Sequence, residues 1–289
     1  MGASGRDERA GMEQFSNDGL TFDVFDSGEA EGASPSGTVV LLHGFPQTSA
    51  IWSDVSAILN AGGLRTVAFD QRGYSPGARP DGRRHYRIEL LVGDTAALIE
   101  QLGAGPVHLV GHDWGAVVAW QLAATRPDLV ATLTSLSVPS TGAFLKSMLS
   151  SAQLLRSWYM GFFQLPLVPE VLADRVPAAL DKTLELNGMN AGQIAAVHSE
   201  VIATGAFGYA VNWYRALPYA NPKFFRSRVA VPTAHVWGEG DAALDRRGAE
   251  LAEEYVDAPF ELHVIGRGGH WLPEHYPEKV AEIVLGLSG

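Results

Sequence analysis

Cysteine is absent from all 289 residues. Disulfides, thiolate nucleophiles and cysteine-held zinc are thereby excluded. Lysine is scarce, present only as Lys146, Lys182, Lys223 and Lys279; the excess of arginine suits a GC-rich bacterial genome. Acidic residues outnumber basic ones, 32 against 21, for a formal charge of -11, which argues against a nucleic-acid surface. No apolar run approaches the roughly 18 residues that would span a bilayer. The opening Met1-Gly2-Ala3-Ser4-Gly5-Arg6 lacks the apolar core of a secretory leader, and Arg6 breaks the myristoylation pattern. A soluble, cytoplasmic protein is expected. His270 and His275 do not have the spacing of a zinc-binding His-Glu-x-x-His helix, so neither a metal nor an organic cofactor is expected.

Hydrophobic patterning divides the chain. Residues 1–11 are polar and glycine-rich and read as a disordered tail. Asn17-Asp18-Gly19 marks a hairpin between two short apolar stretches. The apolar run Thr38–Leu42 is too short for a helix and reads as a strand buried on both faces, and Thr66–Phe69, Val107–Val110 and Ala131–Val138 read as further strands. Helical patterns lie between them, Ile51–Leu59, Ile88–Leu102 and Ala116–Ala124. From 140 to 226 the spacing is helical throughout and rich in Tyr, Trp, Phe and Met, and strand–helix alternation resumes at Val231. The pattern implies a mostly parallel, doubly wound α/β sheet over 12–139 and 227–289, with a helical cap inserted at 140–226.

Ligands of such sheets bind beyond the carboxyl ends of the strands. Four loops there carry chemistry: His43-Gly44-Phe45-Pro46, Gly111-His112-Asp113-Trp114-Gly115, Gly238-Glu239-Gly240-Asp241 and Gly268-Gly269-His270-Trp271. The second has the layout of a nucleophile elbow, usually Gly-x-Ser-x-Gly, with Asp113 where the serine would stand. A carboxylate there attacks carbon by displacement and forms an alkyl ester. The order nucleophile, acid, histidine also fits that fold. Singly, each element has a plainer reading: Asp113 as a helix cap, Asp241 as a loop carboxylate, His270 as a surface residue. Order and strand-end placement together favour a working Asp113–His270–Asp241 site, with Asp245 or Glu239 as substitutes for the acid.

With Asp70-Gln71-Arg72-Gly73-Tyr74, these motifs resemble the α/β-hydrolase-fold epoxide hydrolases over nearly everything from residue 13 onward. Haloalkane and fluoroacetate dehalogenases share the same motifs. Two segments in the 140–226 region incline the choice: Ser157-Trp158-Tyr159-Met160 and Asn212-Trp213-Tyr214-Arg215 resemble those that place a tyrosine over the nucleophile in epoxide hydrolases. The resemblance implies Tyr159 and Tyr214 as acids for the epoxide oxygen, the N–H groups of Phe45 and Trp114 as an oxyanion hole, and a cis Phe45-Pro46 bond. The plainer reading is that both rings are cap core; their matching contexts, one in each half of the cap, favour the functional one. The aromatics Trp158, Phe162, Phe163, Phe207 and Trp213 suggest contacts to an apolar substrate. The expected reaction converts an apolar epoxide and water to a vicinal diol. Haloalkane dehalogenation is the nearest rival; a non-catalytic ligand-binding protein is a more distant one, because every catalytic position is filled. The sequence leaves the oligomeric state open, a homodimer included.

Overall fold

The computed structural model describes residues 11–28 and 37–289. Apart from Gly11, the expected tail lies outside the described residues. Strands β1 (Gln14–Asn17) and β2 (Leu20–Asp26) pair antiparallel. Asp18 and Gly19 between them have φ of 49° and 76°, the left-handed pair that a two-residue hairpin turn of matching twist requires.

The remaining strands are β3 (Thr38–Leu42), β4 (Arg65–Phe69), β5 (Val107–His112), β6 (Val130–Leu136), β7 (Thr233–Gly238) and β8 (Phe260–Ile265). The sheet runs β1-β2-β4-β3-β5-β6-β7-β8. Beyond the antiparallel β1 and β2, every pairing is parallel. The inner strands β3 and β5 are buried at every position, which is why their sequences read as unbroken apolar runs. Helices cover both faces. Ile88–Leu102 and Trp114–Thr125 pack in one apolar core; Ser53–Ala61 and Pro277–Ser288 pack in the other. Helix Ile88–Leu102 ends where expected, at Gly103, whose φ of 63° closes the last turn.

From Thr141 to Arg226 every regular element is helical. These are short pieces, and one turn (Val197–Ile202) is a π-helix. The layer is fastened to the strand ends by hydrogen bonds: Trp213 Nε1 donates to the Arg72 carbonyl at 2.7 Å, and Trp271 Nε1 to the Asn187 carbonyl at 2.9 Å. Among the described residues no single helix is long and apolar enough to cross a membrane.

Candidate active site

The turn after β5 forces Asp113 into a conformation that most residues avoid, φ 52° and ψ -119°. Its neighbours must be small. A Cβ on Gly115 would sit 2.1 Å from the Leu42 carbonyl oxygen, and one on Gly111 would sit 2.4 Å from the Gly115 oxygen. Gly44 faces the Asp113 Cβ in the same way, at 2.4 Å. The glycines thus let three backbone segments converge, and the elbow pushes the Asp113 carboxylate out at the N-terminal end of helix Trp114–Thr125, where the helix dipole favours negative charge.

Each Asp113 oxygen has its own partner. The Phe45 N–H donates to Oδ1 at 2.8 Å, while Oδ2 lies 3.5 Å from His270 Nε2. The other ring nitrogen of His270, Nδ1, is 2.9 Å from Asp241 Oδ2. Asp241 Oδ1 accepts from the N–H groups of Ala243 (2.8 Å) and Leu244 (2.9 Å). The His270 backbone is also fixed: its carbonyl accepts from Ser137 Oγ at 2.8 Å and lies 2.9 Å from His112 Nε2. The Phe45-Pro46 bond is cis.

These contacts set the charges. Burial alone would raise the proton affinity of Asp113; the His270 hydrogen bond and charge, His112 and the Phe45 N–H outweigh it, so the carboxyl titrates below its ordinary value. For His270, burial works downward but the Asp241 and Asp113 carboxylates work upward and win, lifting its pKa to about 10. His112, buried and facing His270, is pushed down to about 4 and is neutral. The resting site is therefore an imidazolium between two carboxylates.

Two cavities meet at Asp113, and Tyr159 and Tyr214 line both. One, of about 270 Å³, is walled by Ile88, Val117, Phe144, Met148, Leu217 and Phe225. The other, of about 480 Å³, adds Phe163, Arg156, Thr183, Asn187 and His270. The tyrosine rings stand 5.9 Å apart. Burial and then the Asp113 charge raise both phenol pKa values well above the ordinary range, with the Trp114 side chain opposing this at Tyr214. Both phenols stay protonated at neutral pH.

Not every expected residue reaches these cavities. Trp213 is fully buried, packed between His43, Tyr74 and Trp114, with its N–H committed to the Arg72 carbonyl. Phe207 packs on Phe45 inside the core, and Phe162 lies tilted between Trp158 and Phe163. None of the three lines either cavity; each packs against other aromatic side chains instead. Trp158 borders the larger cavity but is 64% exposed. Asp245 caps helix Arg246–Leu251 and Glu239 is exposed, which leaves Asp241 as the partner of His270. Sequence reasoning missed Ser137, whose φ of 66° marks a special turn after β6, and His112, which lay unused inside the elbow motif.

Residues 37–277 match the model of the alpha/beta hydrolase fold. The chain belongs to that family. Among its α/β-hydrolase relatives are the AB hydrolase superfamily protein YfhM of Bacillus subtilis, 33% identical over 280 residues (94% of this chain, 96% of that one), and Epoxide hydrolase 3 of Xenopus tropicalis, 34% identical over 286 residues (95% and 76%). Among solved structures, Epoxide Hydrolase A from Mycobacterium thermoresistibile superposes with a TM-score of 0.81 at 24% identity, covering 95% of this chain and 96% of that one; at that identity the likeness speaks for the fold.

Proposed function

We propose that the protein is an epoxide hydrolase that opens an apolar epoxide through an alkyl ester on Asp113 and releases a vicinal diol. The observation that carries this reading is the pairing of the Asp113 carboxylate with two protonated phenols, buried Tyr214 and half-buried Tyr159, in cavities lined largely by carbon. Relatives named epoxide hydrolase agree with it. Water attacking an ester needs no phenol on the opposite wall; an epoxide oxygen leaving as alkoxide does, because a positioned acid is worth about 10²–10⁴ in rate.

The charges close into a cycle without an external proton. Ionised Asp113 displaces the epoxide oxygen from carbon, and a phenol of Tyr159 or Tyr214 protonates the alkoxide. His270, already protonated, returns a proton to the phenolate. Ester formation has by then removed the Asp113 charge, one of the two that hold the imidazolium, so the ring gives its proton up and becomes a base. It next takes a proton from water as hydroxide adds to the ester carbonyl. Asp241 stabilises the returning imidazolium, as the acid does in serine triads. The Phe45 N–H, already on Asp113 Oδ1, and the Trp114 N–H stabilise the oxyanion. Collapse expels the diol oxygen, which takes the His270 proton, and the Asp113 carboxyl returns its own proton to His270, restoring the starting charges.

Trapping tests the scheme. His270→Gln mixed with styrene oxide is expected to gain the mass of one substrate on Asp113 and to hold it. A single wild-type turnover in heavy-oxygen water is expected to leave the label on Asp113. An unmodified mass, or label in the first diol released, would remove the ester from the mechanism.

A further inference from the structure

The helical layer does more than roof the cavities: the stretch 153–159 grips the loop that carries the acid. Gln153 is 1% exposed and spends its amide there. Its Nε2 donates to the Ala243 carbonyl at 2.8 Å and to Ser157 Oγ at 3.0 Å, and its Oε1 accepts from the Asp245 N–H at 2.7 Å. One helical turn on, Arg156 Nη1 donates to the carbonyls of Asp241 (2.7 Å) and Ala242 (3.2 Å), and its Nε lies 3.6 Å from Asp245 Oδ2. Thus the layer holds backbone groups of Asp241, Ala242, Ala243 and Asp245. The same loop presents the Ala243 and Leu244 N–H groups that orient the Asp241 carboxylate. Three residues beyond Arg156 stands Tyr159.

We propose that Gln153 and Arg156 are positioning residues that tie the orientation of Asp241, and through it His270, to the seating of Tyr159 beside Asp113. A substrate that seats the phenol also sets the acid, and a layer displaced to admit substrate loosens both. The consequence for turnover rests on the ester mechanism above; the coupling itself does not.

The sign of one readout separates this role from plain electrostatics. His270 faces Asp113, Asp241 and His112, and the Asp241 loop faces Arg156 and Asp245. Removing the Arg156 charge with the geometry unchanged would raise the proton affinity of His270, because a nearby cation is lost. Loosening Asp241 would lower it. Gln153→Leu changes no charge.

The experiment compares wild type, Gln153→Leu, Arg156→Leu and Arg156→Lys. Styrene oxide is the substrate, with ester formation and ester hydrolysis followed separately by quenched intact mass. The His270 titration is followed by NMR in the substrate-free protein. For both leucine variants we expect hydrolysis at least tenfold slower and slowed more than ester formation, with a His270 midpoint at least one unit lower. Arg156→Lys, which keeps a donor for the Asp241 carbonyl, is expected to recover part of each. The proposal is overturned by an unchanged or raised His270 midpoint. It is equally overturned by both half-reactions falling in parallel with the melting temperature while Arg156→Lys does no better than Arg156→Leu. If wild type forms no ester, the mechanism above fails, while the titration, needing no substrate, still decides the coupling.

Discussion

Removing the two phenolic hydroxyls while keeping their rings isolates the step that sets epoxide opening apart from other displacements. Tyr214 packs edge-on against Phe45 (5.2 Å), Trp114 (5.1 Å) and Tyr159 (5.9 Å), and tilted against Phe163 (4.7 Å). Phenylalanine preserves those contacts, so Tyr159→Phe and Tyr214→Phe should leave the cavity walls and the fold nearly as they are. What each variant loses is an acid that burial and the Asp113 charge keep protonated. Full loss of positioned acid should slow ester formation by about 10²–10⁴, which corresponds to about 3–5 kcal/mol of barrier. Since two donors serve one oxygen, each single variant should fall by only about 10–10², the remaining phenol carrying the proton. Ester hydrolysis, which the proposed mechanism gives to His270 and Asp241, should change little. The assay is a single-turnover time course with styrene oxide, ester and diol quantified separately, and a bromoalkane as a control whose leaving group needs no proton. Wild-type alkylation by the double variant would refute the reasoning. So would a loss confined to hydrolysis, or an equal loss on the bromoalkane.

Two further perturbations probe the scaffold. Gly115→Ala puts a methyl 2.1 Å from the Leu42 backbone oxygen, where no flexible side chain can yield; it should cost about 1–3 kcal/mol or more by overpacking and abolish ester formation, and a variant as stable and active as wild type in urea unfolding and turnover would contradict the convergence at the elbow. His235, buried with Nδ1 2.7 Å from Ser135 Oγ and pushed by burial down to about 4, stays neutral in the fold but takes a proton near pH 6.5 when unfolded, so its contribution is intact above about 6.5 and lost as pH falls toward 4, about 3 kcal/mol over that window. Urea midpoints across that range should decline less steeply for His235→Asn than for wild type, and parallel slopes would clear His235 of the role.

Much of this was legible in the sequence because period and punctuation are local. The apolar runs of β3 and β5, the Asn17-Asp18-Gly19 turn and the Gly103 stop need only short-range sterics and burial. The site loops were legible because a parallel sheet sends every strand end to one rim. Side-chain destinations were not. Trp213 and Tyr214 are chain neighbours of similar chemistry, yet one donates to a core carbonyl and the other faces the cavities; the difference arises from how the layer docks, which residue type does not encode. The grip of Gln153 was invisible for a similar reason. It sits on the four-residue helix Gln153–Arg156, too short for any periodicity, and its partners lie 90 and 92 positions away.

The two Asp113 oxygens are unequal, and that inequality links the elbow to the order of chemical events. Oδ1 is held by the Phe45 N–H at 2.8 Å; Oδ2 has only the longer 3.5 Å approach to His270 Nε2. On the proposed mechanism Oδ2, with the longer contact, is the attacking oxygen, because Oδ1 can then stay on the Phe45 N–H throughout. If Oδ2 is alkylated, Oδ1 becomes the ester carbonyl oxygen and already occupies the position where negative charge develops when water adds, so the oxyanion site needs no rearrangement between the two steps. A serine at the elbow would offer a single oxygen, and the hole would have to wait for a substrate carbonyl. On the proposed mechanism the attacked carbonyl belongs to the protein, so the substrate need bring none. The cavities can then be apolar almost to the reacting atoms, and polarity concentrates on Asp113, His270 and the two phenols.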